Sequence, residues 1–396
     1  MRLLHTLATA AAAVVMLASC QKENTSGIKN NTTDAKSTPV TDGSSGLQSK
    51  EGGNNKGFVY TLSNQTTGNM VLAYHRAANG TLTYVASYAA GGNGSGGGLG
   101  NQGAVIIGGD DEDDDVLLAV NAGSNTVSSF KINDNGSLVL KSTVSSGGMR
   151  PISIAQHDDI VYVLNGGGTG NISGFSLDDN KLTLIPNSTR PLSSSMAGAA
   201  QVSFVRNGKV LVITEKATNK IITYTVSESG LPGTMHSITS ASPTPFGFAP
   251  GRHGNIYVSE AVGGAANASN VSSYQVSNDG SISFADGPVG TGQSAACWVV
   301  LTNNGKFIYT TNTASNTLSS YNVNQGSGNI NLLQSIAATS GMGPIDAALS
   351  DNSKFLYVLN GAGNSLSVYS VGNNGSLTAV QTVTGLPAGA NGLAAD

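Results

Sequence analysis

The chain has 396 residues, a formal net charge of −4 and 11% charged side chains, whereas about 25% is usual in globular proteins. Its 19 lysine and arginine residues form no basic stripe, which argues against a nucleic-acid partner. Glycine is abundant, at 52 residues, and 39% of the chain is hydrophobic, which favours a packed core with many tight turns.

The N-terminal residues resemble a bacterial export signal. Arg2 and His5 form a short polar start, and the apolar stretch at 7–17 is too short to cross a bilayer as a stable helix. It ends in Leu17-Ala18-Ser19-Cys20, which is similar to a lipobox. We therefore predict a signal peptide at 1–19 and lipidation of Cys20, and a soluble periplasmic or secreted protein is the alternative. The residue after Cys20 is not aspartate, which favours anchoring at the outer membrane, with the domain periplasmic or at the cell surface.

Residues 20–56 are predicted to be a lipidated cysteine followed by a disordered tether. This segment is rich in Asn, Thr, Ser, Gly and Lys and has almost no large apolar side chains, so it cannot bury enough surface to offset the entropy of ordering. No second apolar stretch predicts a membrane span, and the lipid is therefore the only predicted contact with a membrane.

The remaining residues, 57–396, contain one phrase that recurs seven times. Each copy is a short run of apolar and β-branched residues, and the copies begin at Phe58, Val116, Ile160, Val210, Asn255, Phe307 and Phe355. The starting numbers lie 44 to 58 residues apart, which suits a four-stranded propeller blade with its turns.

The residues around each phrase complete a blade. A second alternating strand follows the phrase, then a turn such as Asn133-Asp-Asn-Gly-Ser137, whose residues suit a tight hairpin, and then a third strand. Five later phrases are also preceded by a short apolar strand, which we assign to the central channel. The first phrase lacks one, yet the chain ends in Ala390-Asn-Gly-Leu-Ala-Ala395 with no phrase after it.

These observations predict an all-β fold: a seven-bladed β-propeller of four-stranded blades, with the ring closed by the C-terminal strand completing blade one. Closure leaves no free sheet edge, and a monomer is expected.

The sixth residue of every phrase should lie at the face where the inner strands begin. These residues are Ser63, Asn121, Asn165, Glu215, Glu260, Asn312 and Asn360. The two glutamates fall on adjacent blades, where one carboxylate could deprotonate a water molecule while the other acts as an acid or binds a cation. Alternatively, both accept backbone hydrogen bonds, as small polar residues do at turns.

Further candidates lie at the same face. Arg150 directly precedes Pro151 at the predicted channel mouth, where its guanidinium suits a carboxylate or phosphate; an ordinary surface arginine is the alternative. Lys216 could pair with Glu215 or bind an anion. Trp298 could stack on a sugar ring or pack in the core, and it joins Asn165 and Asn312 as a predicted ligand-binding residue.

A metal site and a cofactor are not expected. The acidic run Asp110–Asp115 does not have the spacing of a known calcium loop, and a solvated acidic turn is the simpler interpretation.

Several short sequences resemble those of lactonase-type seven-bladed propellers, which include 6-phosphogluconolactonase and carboxymuconate lactonizing enzyme. They are Tyr162-Val-Leu-Asn165, Thr214-Glu-Lys216, Pro245-Phe-Gly-Phe248, Ser259-Glu-Ala261 and Ala296-Cys-Trp-Val299, and they resemble an uncharacterised branch. The resemblance covers 57–396 and implies a hydrolase that opens, or an enzyme that forms, a lactone ring. Glu215 or Glu260 would then be the base, and Arg150 or Lys216 would stabilise the oxyanion.

The chain departs from that family at one place. Many relatives have a His-x-His-Gln sequence where inner strand four begins, whereas this chain has Gly198-Ala-Ala-Gln201. The difference argues against a phosphorylated sugar lactone and favours an unphosphorylated lactone or a related carbohydrate.

Two other functions stay open. One is a non-catalytic propeller that binds a glycan, peptide or partner protein at the channel mouth, and the other is a structural envelope protein. Two carboxylates converging with Arg150 in one pocket would favour chemistry, whereas carboxylates used as caps would favour binding or scaffolding.

Overall fold

The computed structural model describes residues 57–109 and 115–396. The predictions for the signal peptide, the lipidation of Cys20 and the tether therefore lie outside the described residues, as does most of the acidic run. In the described ranges the chain forms 29 strands and two single-turn 3₁₀ helices, Arg252–Gly254 and Val262–Gly264. No helix in these ranges is both long enough and apolar enough to cross a membrane.

Seven antiparallel sheets form the blades, each with the strand order inner, second, third, outer. Blade one contains β29 (Asn391–Ala395), β1 (Gly57–Leu62), β2 (Met70–Arg76) and β3 (Leu82–Ala89). Blade two contains β4 (Val105–Gly108), β5 (Val116–Asn121), β6 (Thr126–Ile132) and β7 (Leu138–Ser145). Blade three contains β8 (Met149–His157), β9 (Ile160–Gly167), β10 (Asn171–Asp178), β11 (Lys181–Leu184) and β12 (Arg190–Pro191).

The other four blades have one strand at each position. Blade four contains β13 (Ala199–Val205), β14 (Val210–Glu215), β15 (Lys220–Val226) and β16 (Pro232–Thr239). Blade five contains β17 (Pro245–Pro250), β18 (Asn255–Glu260), β19 (Asn270–Val276) and β20 (Ile282–Gly290). Blade six contains β21 (Ala296–Leu301), β22 (Phe307–Asn312), β23 (Thr317–Val323) and β24 (Ile330–Thr339). Blade seven contains β25 (Pro344–Leu349), β26 (Phe355–Asn360), β27 (Ser365–Val371) and β28 (Leu377–Thr384).

The predicted ring closure is confirmed. Strand β29 pairs with β1 in an antiparallel register that places Leu393 opposite Thr61. The Thr61 hydroxyl donates to the Gly392 carbonyl at 2.6 Å, and the Phe58 amide donates to the Asp396 carboxylate at 3.0 Å. The last strand of the chain is therefore the inner strand of the first blade.

Two strands differ from the sequence-based expectation. The inner strand of blade two, β4, was not predicted, because it is short and follows a glycine-rich stretch without periodicity. The outer strand of blade three is divided into β11 and β12, which both pair with β10. Between them the chain leaves the sheet. There the Ser188 hydroxyl, in place of a backbone carbonyl, accepts a hydrogen bond from the Gly174 amide of β10 at 3.0 Å.

The second strands form the core between blades. Most are buried along their whole length, whereas the outer strands, which lie at the rim, consist mainly of exposed and partly exposed residues. Tyrosine at the third position of the phrase links neighbouring blades: the hydroxyls of Tyr60, Tyr162 and Tyr309 each donate to a glycine carbonyl in the hairpin turn of the next blade. One of these glycines, Gly136, has a φ of +73°, and a Cβ there would lie 2.1 Å from the Phe58 ring.

Inner strands begin, and second strands end, at one face of the ring, which we call the entry face. The opposite face is the exit face.

Candidate functional site

The channel mouth at the entry face is spanned by Asn101–Gly103, which we call the channel segment. The Gln102 side chain reaches inner strand six, where its amide donates to the Val299 carbonyl at 2.8 Å and its carbonyl accepts from the Val299 amide at 3.1 Å. The Gln102 backbone amide donates to Ala200 in inner strand four at 3.1 Å, and the Trp298 indole donates to the Asn101 carbonyl at 2.6 Å. The segment thus joins blade two to blades four and six across the channel.

Gly247 in inner strand five makes room for this crossing. A Cβ at Gly247 would lie 2.1 Å from the Gln102 side-chain oxygen. One blade earlier, Gln201 forms the same pair of bonds with Phe248, accepting from its amide at 2.6 Å and donating to its carbonyl at 3.0 Å. Gln102 therefore makes the same pair of hydrogen bonds to Val299 that Gln201 makes to Phe248. It does so between blades five and six, where Gly247 lacks a side chain that could make them.

Two cationic side chains meet above the channel segment. An Arg150 guanidinium nitrogen lies 3.3 Å from the Gly98 carbonyl oxygen, and the Lys216 ammonium donates to the Gly100 carbonyl. Lys216 also lies over the Phe246 ring, with its nitrogen 4.7 Å from the ring centroid, as in a cation–π contact. Burial lowers the pKa of Lys216 to about 7, and the nearby charge of Arg150 acts in the same direction.

The backbone conformation of Arg150 is fixed by a local hydrogen bond. Its φ is +52°, a left-handed conformation that costs a non-glycine residue roughly 1 kcal/mol, and its amide donates to the Asn125 side chain at 2.7 Å. The guanidinium is exposed and lies beside Gly98. Arg150 and Lys216, which the sequence analysis placed at the same face, both donate to the Gly98–Gly100 backbone, and a catalytic role for either stays a prediction.

The carboxylate of Glu215 is engaged within its own blade and the loop before it. It accepts from the Ser193 amide at 2.8 Å, from the Ser193 hydroxyl, and from the Thr218 hydroxyl at 2.6 Å. Glu215 has no solvent exposure.

The carboxylate of Glu260 has an equally complete set of partners. It accepts from the hydroxyls of Ser240 at 2.6 Å, Ser272 at 2.7 Å and Tyr274 at 2.9 Å, and the residue is fully buried. Among the described residues, no side chain bonds to both glutamates. The alternative of backbone hydrogen bonds holds in part for Glu215, which accepts one from the Ser193 amide, whereas the partners of Glu260 are side-chain hydroxyls. A catalytic role for both glutamates stays a prediction without support from the geometry.

The three predicted ligand-binding residues are also buried. Trp298 packs against Phe246 with the rings tilted and their centroids 4.8 Å apart, and the Asn312 amide donates to the hydroxyls of Thr317 and Ser319. The Asn165 amide donates to the Ser146 carbonyl at 3.0 Å and to Asn171 at 2.8 Å. All three act inside the fold, and contact with a ligand remains a prediction for each.

Sequence reasoning missed a buried carboxyl in the channel, Asp346 of β25. It is 2% exposed, and it accepts hydrogen bonds from the backbone amides of Ala347 and of Leu393. Leu393 lies in β29, so the second bond crosses from blade seven to blade one, a junction that we call the closure seam. Burial raises its pKa well above the usual range. An aspartate within an otherwise apolar inner strand was the signal available in the sequence.

Replacing Asp346 with asparagine should stabilise the protein at pH 8 and have little effect at pH 4. Because the folded-state pKa is raised, the unfolded chain loses this proton first as pH rises, so the native protein loses stability above the unfolded pKa of about 3.9. Asparagine keeps an acceptor oxygen and cannot ionise. Thermal unfolding of both proteins between pH 4 and 8 tests this, and a difference independent of pH would contradict it.

No group of three or more His, Cys, Asp or Glu side chains within 57–109 and 115–396 is arranged to hold a metal ion.

Comparison with known proteins agrees with the fold. The family model described as lactonase, 7-bladed beta-propeller, matches residues 111–286 and 266–395. No curated protein sequence matches the chain significantly.

Among solved structures, the periplasmic gluconolactonase of Pseudomonas aeruginosa is similar, with 15% identity, a TM-score of 0.63, and 85% of this chain and 98% of that chain covered. A Bacteroides uniformis protein inferred to be a 6-phosphogluconolactonase has 18% identity, a TM-score of 0.64, and 85% and 98% coverage. A Lactobacillus plantarum protein has 17% identity, a TM-score of 0.66, and 86% and 98% coverage. At these identities the likeness concerns the fold alone.

Proposed function

Because the chain belongs to the lactonase family of seven-bladed β-propellers, we propose that its entry face recognises a lactone or the sugar acid produced when a lactone ring opens. The observation that carries the proposal is the convergence of Arg150 and Lys216 on Gly98–Gly100. Both cations already bind carbonyl oxygens there, the type of atom that a lactone or a carboxylate presents.

The two cations differ in what they offer a ligand. Arg150 is exposed and always charged, so its planar guanidinium can bind both oxygens of a carboxylate. Lys216 is half-buried beside an aromatic ring, and its charge depends on pH near neutrality. A sugar acid would thus be bound more tightly below pH 7 than above it.

Recognition is favoured over glutamate-based catalysis by the state of the carboxylates. Three hydrogen bonds to each of Glu215 and Glu260 occupy three of the about four lone-pair sites of each carboxylate, and both side chains are fully buried. A general base must also lie within hydrogen-bond reach of the proton that it removes.

Hydrolysis through Lys216 is a second candidate, which its pKa of about 7 favours. The neutral amine would take a proton from water, and the water oxygen would attack the lactone carbonyl carbon while Arg150 stabilises the oxyanion. Breaking the ring C–O bond would then release an alkoxide, to which the Lys216 ammonium returns the proton.

Gluconate binding by the purified protein, measured by calorimetry at pH 6 and pH 8.5, tests the proposal. Arg150→Gln and Lys216→Met should each weaken binding by roughly tenfold or more, since a charge-assisted hydrogen bond contributes about 1.5–3 kcal/mol. The parent should bind more weakly at pH 8.5, and this pH dependence should disappear in Lys216→Met.

Matched controls lie on the exit face, where Arg252→Gln and Lys209→Met should leave the affinity unchanged. Equal losses in the control variants, or no gluconate binding by the parent, would overturn the proposal. Proton release from glucono-lactone measures the second candidate: kcat/KM should rise with pH through about 7 and vanish in Lys216→Met.

Attachment to the cell envelope through Cys20 remains a proposal that rests on the N-terminal sequence.

A further inference from the structure

A short stretch of the chain, Gly98–Gly100, contacts both cations, and we call it the arch. It covers half-buried Lys216 and accepts a hydrogen bond from one guanidinium nitrogen of exposed Arg150. It lies in the connection between β3 and β4, directly before the channel segment. In the described part of the chain, the hydrogen bonds to the arch backbone come from Arg150 and Lys216. The arch therefore occupies one donor of each cation that the proposed ligand would need.

Both ends of the arch are fixed more firmly than the arch itself. Before it, the Asn64 side chain accepts from the Ser95 amide at 2.8 Å and donates to the Gly97 carbonyl at 2.7 Å. After it, Gln102 is bonded to Val299 through both atoms of its amide. Movement between these anchors need not disturb either of them.

The composition of the arch suits such movement. Gly100 has a φ of +63°, which glycine adopts without strain, so the chain can bend there. Leu99 is the single side chain of the arch, and at 4% exposure it is inserted into the core. Its burial favours the covered state, because withdrawing Leu99 would expose apolar surface to water.

We propose that the arch is a lid that covers Lys216 and holds the Arg150 guanidinium in the free protein, and that it is displaced when an anionic ligand binds. This inference rests on the proposed function, whose site the lid covers. The observed affinity then equals the intrinsic affinity reduced by the fraction of molecules in which the arch is open. Weakening the covered state must therefore strengthen ligand binding, which is opposite to the effect of removing either cation.

The single tryptophan of the chain provides an internal reporter. Trp298 donates to Asn101, the residue after the arch, and packs against Phe246, which in turn contacts Lys216. Displacement of the arch should change the surroundings of the Trp298 indole, and with them its emission.

The decisive variant is Leu99→Ala, with Gly97→Ala as the matched control. Leu99→Ala removes the buried side chain of the lid, so we expect gluconate affinity to rise by roughly tenfold, and the emission of the free variant to approach that of the gluconate-bound parent. A Cβ at Gly97 meets no atom within 4 Å, so Gly97→Ala should behave as the parent. Unchanged or weaker gluconate binding by folded Leu99→Ala would overturn the lid.

A second measurement does not depend on any sugar. Acetic anhydride at pH 7.5, followed by peptide mass spectrometry, gives the acetylation rate of Lys216 relative to that of exposed Lys209. The lid predicts a several-fold faster rate at Lys216 in Leu99→Ala than in the parent. If this rate rises while the parent binds no gluconate, the proposed function fails and the lid stands; if the rate is unchanged while gluconate binds, the lid fails.

Should Leu99→Ala not fold, Gly100→Ala replaces it. Alanine is strained at a φ of +63°, and its Cβ would lie 3.1 Å from the Lys216 nitrogen, so the covered state is again the one that is weakened.

Discussion

Removal of the last eight residues, 389–396, is expected to abolish the folded ring. The deletion takes away β29, and the backbone groups of β1 that pair with it would lose their partners. Leu393 and Ala394, both buried, would leave the closure seam, and Asp346 would lose the Leu393 amide. Because each blade is held by its neighbours around the ring, we expect aggregation or oligomers in size-exclusion chromatography and loss of a cooperative thermal transition.

A deletion of equal length within the predicted tether, residues 40–47, is the control and should leave the oligomeric state and the transition unchanged. A truncated protein that stayed monomeric, with the parent's unfolding temperature, would show that β29 is dispensable for closure.

Substitution of Glu260 by leucine is expected to cost about 3–5 kcal/mol of unfolding free energy. The hydroxyls of Ser240, Ser272 and Tyr274 all donate to this carboxylate, and leucine would leave them buried without that acceptor. Glutamine keeps one acceptor oxygen and offers an amide that a rotated hydroxyl can accept, so Glu260→Gln should cost less than about 1.5 kcal/mol. Chemical denaturation of the parent and the two variants measures both costs.

The same pair of variants separates a cap from a catalytic group. If Glu260 served catalysis, Glu260→Gln would remove lactone turnover, and Glu260→Leu would leave stability close to that of the parent. That result would support Glu260 as a catalytic residue.

Much of the fold was open to prediction because its rules are local and repeated. The phrases that begin at Phe58 and Phe307 place β1 and β22 at their observed positions, and the unpaired C-terminal sequence revealed the closure. The crossing of the channel was not predictable in this way. Gln102 and Val299 are 197 residues apart, and the glycine-rich stretch before Gln102 has no periodicity that could indicate its path.

For the candidate site, sequence correctly placed Glu215 and Glu260 at equivalent ends of adjacent second strands, but it could not show where the carboxylates point. A signal existed in the third strands. Ser319 of β23 accepts from Asn312, and Ser272 at the equivalent position of β19 donates to Glu260. The serine common to both strands indicates that the asparagine and the glutamate make the same contact. The serine hydroxyl accepts a hydrogen bond from the asparagine amide but donates one to the glutamate carboxylate.

The position of Gly57 has a consequence for how the domain would be presented. The chain enters the ring there, at the start of a second strand and hence at the exit face, whereas Arg150 and Lys216 lie at the entry face. If Cys20 carries the lipid, as the sequence predicts, the tether would join the ring on the face opposite the cation pair. The lipid attachment and the ligand would then not compete for the same side of the domain.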